Sequence, residues 1–219
     1  MILTRYFQKN VVVVGLQGMG KSSLIKMLCP TADVRSSNNA GSCTKEPQGY
    51  PCSDLRCQVH DTPGLTEEIQ RSWFARLFSR KKAQISSPEA EKVEEYLKDV
   101  KVKGGGVHLL IYCMSGERCK KTSLHAKNYK RFKDVVGNVP VVVVVTGLDI
   151  CQISWENREN WWSKYGGENL GMGPIAGHAC ITAQPPDPKI FGTPNYIRQN
   201  DFYTNSCDLV FNLVGRYVT

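Results

Sequence analysis

The chain has 219 residues, 41% hydrophobic and 22% charged, the balance of a folded globular protein long enough to bury a full core. No apolar run reaches the ~18 residues of a membrane-spanning helix, and the N-terminal residues lack the apolar stretch and small-residue cleavage site of a signal peptide. The net charge is +8, and the excess is concentrated: about ten more basic than acidic residues fall between Arg71 and Lys133.

Strand-like and helix-like segments alternate along the chain. Strands are predicted at 10–15, 55–61, 107–114, 139–146 and 177–182. Helices are predicted at 21–28, within 67–82, and at 88–102, 122–136, 155–165 and about 204–217. Near-continuous apolar strands separated by helices predict a mostly parallel sheet with helices on both faces, a three-layer α/β domain. One such domain, 1–219, accounts for the whole chain. Two long irregular stretches, 31–51 and 166–177, follow predicted helices, and loops of that length are often functional. The nine cysteines are irregularly spaced and form no CxxC pair. They read as reduced, mostly buried thiols of a cytoplasmic protein rather than as a zinc site.

The first strand runs into Gly15-Leu16-Gln17-Gly18-Met19-Gly20-Lys21-Ser22, which fits GxxxxGK[ST] between a strand and a helix, the context that this phosphate-binding motif requires. The glycines let the backbone N–H groups of Gln17, Gly18, Met19 and Gly20 curl toward phosphate oxygens, and the following helix start, with Ser23, adds its positive end. Lys21 reaches the β- and γ-phosphates, and the Ser22 hydroxyl is a Mg²⁺ ligand. About forty residues on, an apolar strand ends in Asp61-Thr62-Pro63-Gly64. There Asp61 can hold a water on Mg²⁺, and the Gly64 N–H can face a γ-phosphate. The chain is thus expected to be a P-loop NTPase.

The strand at 139–146 ends in Thr146-Gly147-Leu148-Asp149. GTPases end this strand in [NT]KxD, whose Asp carboxylate accepts from the two donors on the guanine edge; adenine lacks that pair. Gly147 stands where the lysine is usual. The next strand ends in Thr182-Ala183, where a backbone N–H can donate to the guanine 6-oxygen.

With these four elements in order, the chain resembles the septin-like branch of P-loop GTPases that includes the immune-associated nucleotide-binding (AIG1) and Toc families. Within that branch it resembles fungal G domain-containing AIG1-like proteins, a resemblance carried by DTPG, TGLD and Asn160-Trp161-Trp162. The resemblance implies a G domain that binds GTP or GDP with Mg²⁺. It also implies a switch threonine, Thr44, in Gly41-Ser42-Cys43-Thr44-Lys45, with Ser42 as the alternative. Septin-like relatives pair across their nucleotide sites, which implies a homodimer and an arginine from a second copy; Arg35 and Arg118 are candidates.

A slow GTPase switch is expected. Leu65 follows the DTPG glycine, where many small GTPases carry a water-positioning glutamine. Gln17 is the substitute, as in dynamin-like enzymes, so the predicted catalytic residues are Gln17, Lys21 and Thr44. The alternatives are a nucleotide-binding scaffold without useful turnover and an ATP-dependent P-loop enzyme. Trp73, Phe74, Leu77 and Phe78 share one face of the helix after DTPG, and Trp161 and Trp162 read as packing. The basic 71–133 stretch offers a contact for an acidic protein or an anionic membrane surface. No lipidation signal accompanies it. Nucleic acid is the weaker partner, for want of a reading motif.

Overall fold

The computed structural model describes residues 9–34, 44, 46–66, 87–116, 122–148, 153 and 155–218. Outside them lie Asp149, Ser42, Arg35, Arg118, the predicted helix within 67–82 and three of the cysteines. Six strands, β1 (Lys9–Val14), β2 (Gln48–Cys52), β3 (Cys57–Asp61), β4 (Leu109–Ser115), β5 (Val141–Thr146) and β6 (Gly177–Cys180), form one sheet in the order β2-β3-β1-β4-β5-β6. Every pair is parallel except β2–β3. The helices are α1 (Lys21–Leu28), α2 (Pro88–Val102), α3 (Thr122–Val136), α4 (Arg158–Tyr165) and α5 (Pro194–Val218).

Valine runs make the central strands. Every residue of β5 and all but the first of β1 are buried, which requires cover on both faces. The helices supply it in two pairs, α1 with α5 and α2 with α3. Because the central strands are parallel, their C-terminal ends share one edge of the sheet, where open α/β sheets bind ligands. The register aligns these ends: Val13 sits opposite Asp61, and Ser115 opposite Thr146.

Two elements differ from expectation. The predicted 31–51 loop contains β2, joined to β3 by a tight turn at residues 53–56. Gly49 and Pro51 hide this strand in the sequence, and both are tolerated because β2 lies at the sheet edge. α5 starts ten residues before the predicted 204, at Thr193-Pro194. There the Thr193 hydroxyl accepts from the Tyr196 N–H (3.1 Å), and Pro194 takes the first helical position. The first two turns of α5 are mostly exposed, so no apolar period marks them.

A buried polar network ties β1 and β3 to α2. The Asn10 amide donates to the carbonyls of Gly104 (2.6 Å) and Gly106 (2.8 Å), which leaves Asn10 Oδ1 as an acceptor 3.0 Å from His60 Nε2. His60 therefore carries its proton on Nε2 and accepts from the Tyr96 hydroxyl at Nδ1 (2.7 Å). Burial lowers the His60 pKa from 6.5 to about 4. The unfolded chain then binds a proton that the folded one refuses, so stability is full above about pH 6.5 and falls as pH drops toward 4. The expected loss is about 3 kcal/mol. Urea midpoints from pH 8 to 4 should fall through this window in the wild type and fall less in His60→Gln; superimposable curves would sink the assignment.

Candidate functional site: a phosphate loop with a hydroxyl–carboxylate cluster

α1 and α2 begin in opposite ways. α2 is closed like a structural helix: the Ser87 hydroxyl accepts from the Ala90 N–H (3.2 Å), and Glu89 and Glu91 stand in its first turn. α1 has Gly20 at its cap, no side-chain cap and no acid in its first turn. Its leading N–H groups and its positive end face outward for an anion. The chain reaches this point through Gly18 (φ 75°) and Gly20 (φ 77°). Lys21 opens the helix and is 7% exposed, with its ammonium on the carbonyls of Leu16 (3.1 Å) and Gly15 (3.3 Å). Its charge is therefore held over the loop. Ser22 and Ser23 follow, both half-buried.

Neighbouring strands fasten the loop from beneath. The Met19 carbonyl accepts from Cys113 Sγ (2.8 Å) and Thr146 Oγ1 (3.1 Å), and Met19 Sδ accepts from the Ser115 N–H (3.1 Å). Burial pushes the Cys113 thiol up to about 12, so it stays protonated and remains a donor. Thr146, expected at the base, thus couples the base-side strand to the phosphate loop.

The DTPG turn closes against the same loop. The Gln17 N–H donates to the Leu65 carbonyl (2.9 Å), and the Leu65 N–H to the Gly15 carbonyl (3.1 Å). The Thr62 hydroxyl donates to the Val13 carbonyl (2.7 Å) and pins the turn to β1. Gly64 lies so close that a Cβ there would fall 2.7 Å from Gln17 Cα, which only glycine avoids. The Leu65 side chain is buried in the core, away from the loop surface.

Asp61 completes the cluster. Its Oδ2 accepts from the Ser22 hydroxyl (3.0 Å) and the Thr44 hydroxyl (2.9 Å). Its Oδ1 is buried and has no hydrogen-bond partner among the described residues. A carboxylate with one idle buried oxygen, flanked by two hydroxyls at the start of an anion-binding helix, is a hard-oxygen donor set that fits Mg²⁺. The sequence-predicted metal residues Ser22, Thr44 and Asp61 are therefore brought together.

On the base side, the turn after β5 passes through Gly147 (φ 71°) to the buried Leu148, and Asp149 lies outside the described residues. Thr182 spends its N–H on Ser206 Oγ (2.9 Å), and its hydroxyl accepts from Arg158 Nη2. Ala183, just beyond, is half-buried against the core. Sequence reasoning missed Arg158, Ser206, Cys113 and Thr62. Only Thr62, inside DTPG, carried a local signal. Trp161 is buried, and Trp162 stacks on His178 with ring centroids 4.1 Å apart.

Solved structures share this fold at low identity. Era from Aquifex aeolicus, bound to GDP and AlF4⁻, has a TM-score of 0.54 at 14% identity, over 96% of this chain and 56% of Era. A probable GTP-binding protein engB gives 0.52 at 15%, over 93% of this chain and 99% of that protein. Toc33 from Arabidopsis thaliana, a dimerization-deficient variant, gives 0.50 at 16%, over 93% and 84%. No curated protein sequence matches the chain. Residues 10–146, well over half of the chain, match the family model described as 50S ribosome-binding GTPase. With its phosphate loop, its DTPG turn and that match, the chain belongs to this family of GTP-binding P-loop GTPases.

Proposed function

We propose that this chain is a Mg²⁺-dependent guanine-nucleotide switch that hydrolyses GTP slowly to GDP and phosphate. The observation that carries the reading is Asp61, with one oxygen accepting from Ser22 and Thr44 and the other idle beside the phosphate loop. Lys21 and the α1 amides bind the β- and γ-phosphates. Ser22, Thr44 and Asp61 are the residues that would hold Mg²⁺, the two hydroxyls as ligands and Asp61 through water. Bound there, Mg²⁺ supplies charge neutralisation at the phosphate oxygens. The Gly64 N–H senses the γ-phosphate, and Asp149 and Ala183 select guanine.

Slow turnover follows from Leu65. The residue that would orient the attacking water is an apolar side chain turned into the core. The Gln17 backbone lies against Gly64, and Gln17 takes over that task. We assign the chain to the septin-like, AIG1-like branch, acting in the cytoplasm and pairing with a second copy across the nucleotide face. The Toc33 structure, described as that of a dimerization-deficient variant, accords with this. The basic 71–133 stretch is the proposed contact for an acidic protein or membrane surface. The cations near 71–82 and 118–121 lie outside the described residues, and several on α3 or just after α2 pair with acids, as in Arg131–Glu94, Lys103–Asp99 and Lys130–Asp134.

The test is single-turnover GTP hydrolysis by the purified chain with Mg²⁺ or with chelator. Chelation should stop it, and Gln17→Ala should slow it about a hundredfold, the low end for losing one water-positioning group. Turnover at the buffer background in wild type and variant alike would leave only a scaffold.

A further inference from the structure

Arg158 opens α4 and is 3% exposed. Its guanidinium spans two successive acceptors at the end of β6: Nη1 donates to the Cys180 carbonyl (3.3 Å) and Nη2 to Thr182 Oγ1. From α5, Ser206 Oγ accepts from the Thr182 N–H (2.9 Å) and donates to the Phe202 carbonyl (2.6 Å). Residues 180–182 are thus clamped from two helices, and Ala183 is the first residue beyond the clamp. A guanidinium this deep is costly to desolvate, and the acceptors on Cys180 and Thr182 offset part of that cost. Arg158 also lies nine positions after Asp149, on the helix that follows the β5 turn. One side chain therefore ties the start of α4 to the segment that leads into Ala183.

We propose that Arg158 is a positioning residue for base selection: by fixing residues 180–182 it aims the Ala183 N–H at the guanine 6-oxygen. The proposal rests on the guanine reading above. A merely structural arginine would hold α4 against β6, and its loss would weaken every nucleotide alike. A positioning arginine has a narrower signature, because its loss matters only to a base that carries the 6-oxygen.

The experiment compares wild type, Arg158→Lys, Arg158→Met and Ser206→Ala. It measures affinity for GDP, for 2-aminopurine riboside 5′-diphosphate, which lacks the 6-oxygen, and for ADP. Wild type should prefer GDP to both. Each variant should lose about tenfold for GDP while holding the 2-aminopurine nucleotide within about twofold, the size of one hydrogen bond. Arg158→Lys belongs with the losers, because an ammonium cannot span both acceptors. Ser206→Ala disturbs the same clamp without touching the buried charge, so it decides the matter if the Arg158 variants fail to fold. Equal losses for both purines, or no loss in any folded variant, overturn the proposal and leave the guanine reading standing. Wild type with no preference for GDP over ADP overturns the guanine reading itself, and the proposal with it.

Discussion

Replacing Lys21 by alanine is expected to lower affinity for GDP and GTP about a thousandfold, the worth of two charge-assisted hydrogen bonds to phosphate. The ammonium is already in place: it is buried and rests on the Leu16 and Gly15 carbonyls, so it needs little reordering when a phosphate arrives. No other described side chain of the loop carries a positive charge, and the first turn of α1 adds only partial charges. The fold should survive, because alanine is a better helix former than lysine and β1 and β3 do not depend on the side chain. Fluorescent-GDP titration, with the melting temperature of the nucleotide-free proteins as control, checks this. A folded Lys21→Ala protein that binds GDP as tightly as wild type would remove the phosphate loop from the account.

Gly15→Ala is expected to damage the fold itself, by about 2–5 kcal/mol from backbone strain and overpacking together. Gly15 is the residue on which β1 turns into the loop. Its φ of 153° is rarely adopted by L side chains, and a Cβ there would lie 2.2 Å from the Cys113 carbonyl oxygen. That oxygen belongs to a fully buried central strand and has nowhere to retreat. The same glycine carbonyl receives the Leu65 N–H, so a displaced Gly15 also loosens the DTPG turn. Urea denaturation would show a markedly lower midpoint, and hydrogen exchange should quicken in β1 and β4 together. A variant within about 0.5 kcal/mol of wild type, the range of a neutral surface change, would mean that the loop does not sit against β4 as described.

The parts of this protein that could be read in the sequence are those whose chemistry is local. The valine runs gave β1 and β5, and GLQGMGKS stood between a strand and a helix as its phosphate role demands. Asp61 could be placed at a strand end, although nothing local showed that Ser22 and Thr44 would meet on one of its oxygens. What escaped depends on contacts distant in sequence. β2 is an edge strand built from Gly49 and Pro51, and only its pairing with β3 makes it one. Arg158 sits in a polar stretch that reads as an exposed helix face, yet it is drawn inside by acceptors at the end of β6 and just beyond it, more than twenty residues on. Thr182 looked like a base contact as the end of the strand predicted at 177–182, whereas β6 stops at Cys180 and the fold gives both its N–H and its hydroxyl to protein partners. Leu65 was legible as a missing glutamine, and its burial supplies the reason that no polar side chain replaces it there.

The central claim is that this site takes guanine nucleotide with Mg²⁺ and cleaves it. The direct test is to load the purified chain with equal GTP and ATP in Mg²⁺, strip what does not bind, and identify what remains by chromatography. The account predicts guanine nucleotide alone, part of it already converted to GDP. Adenine nucleotide, or an even mixture of the two, would contradict it.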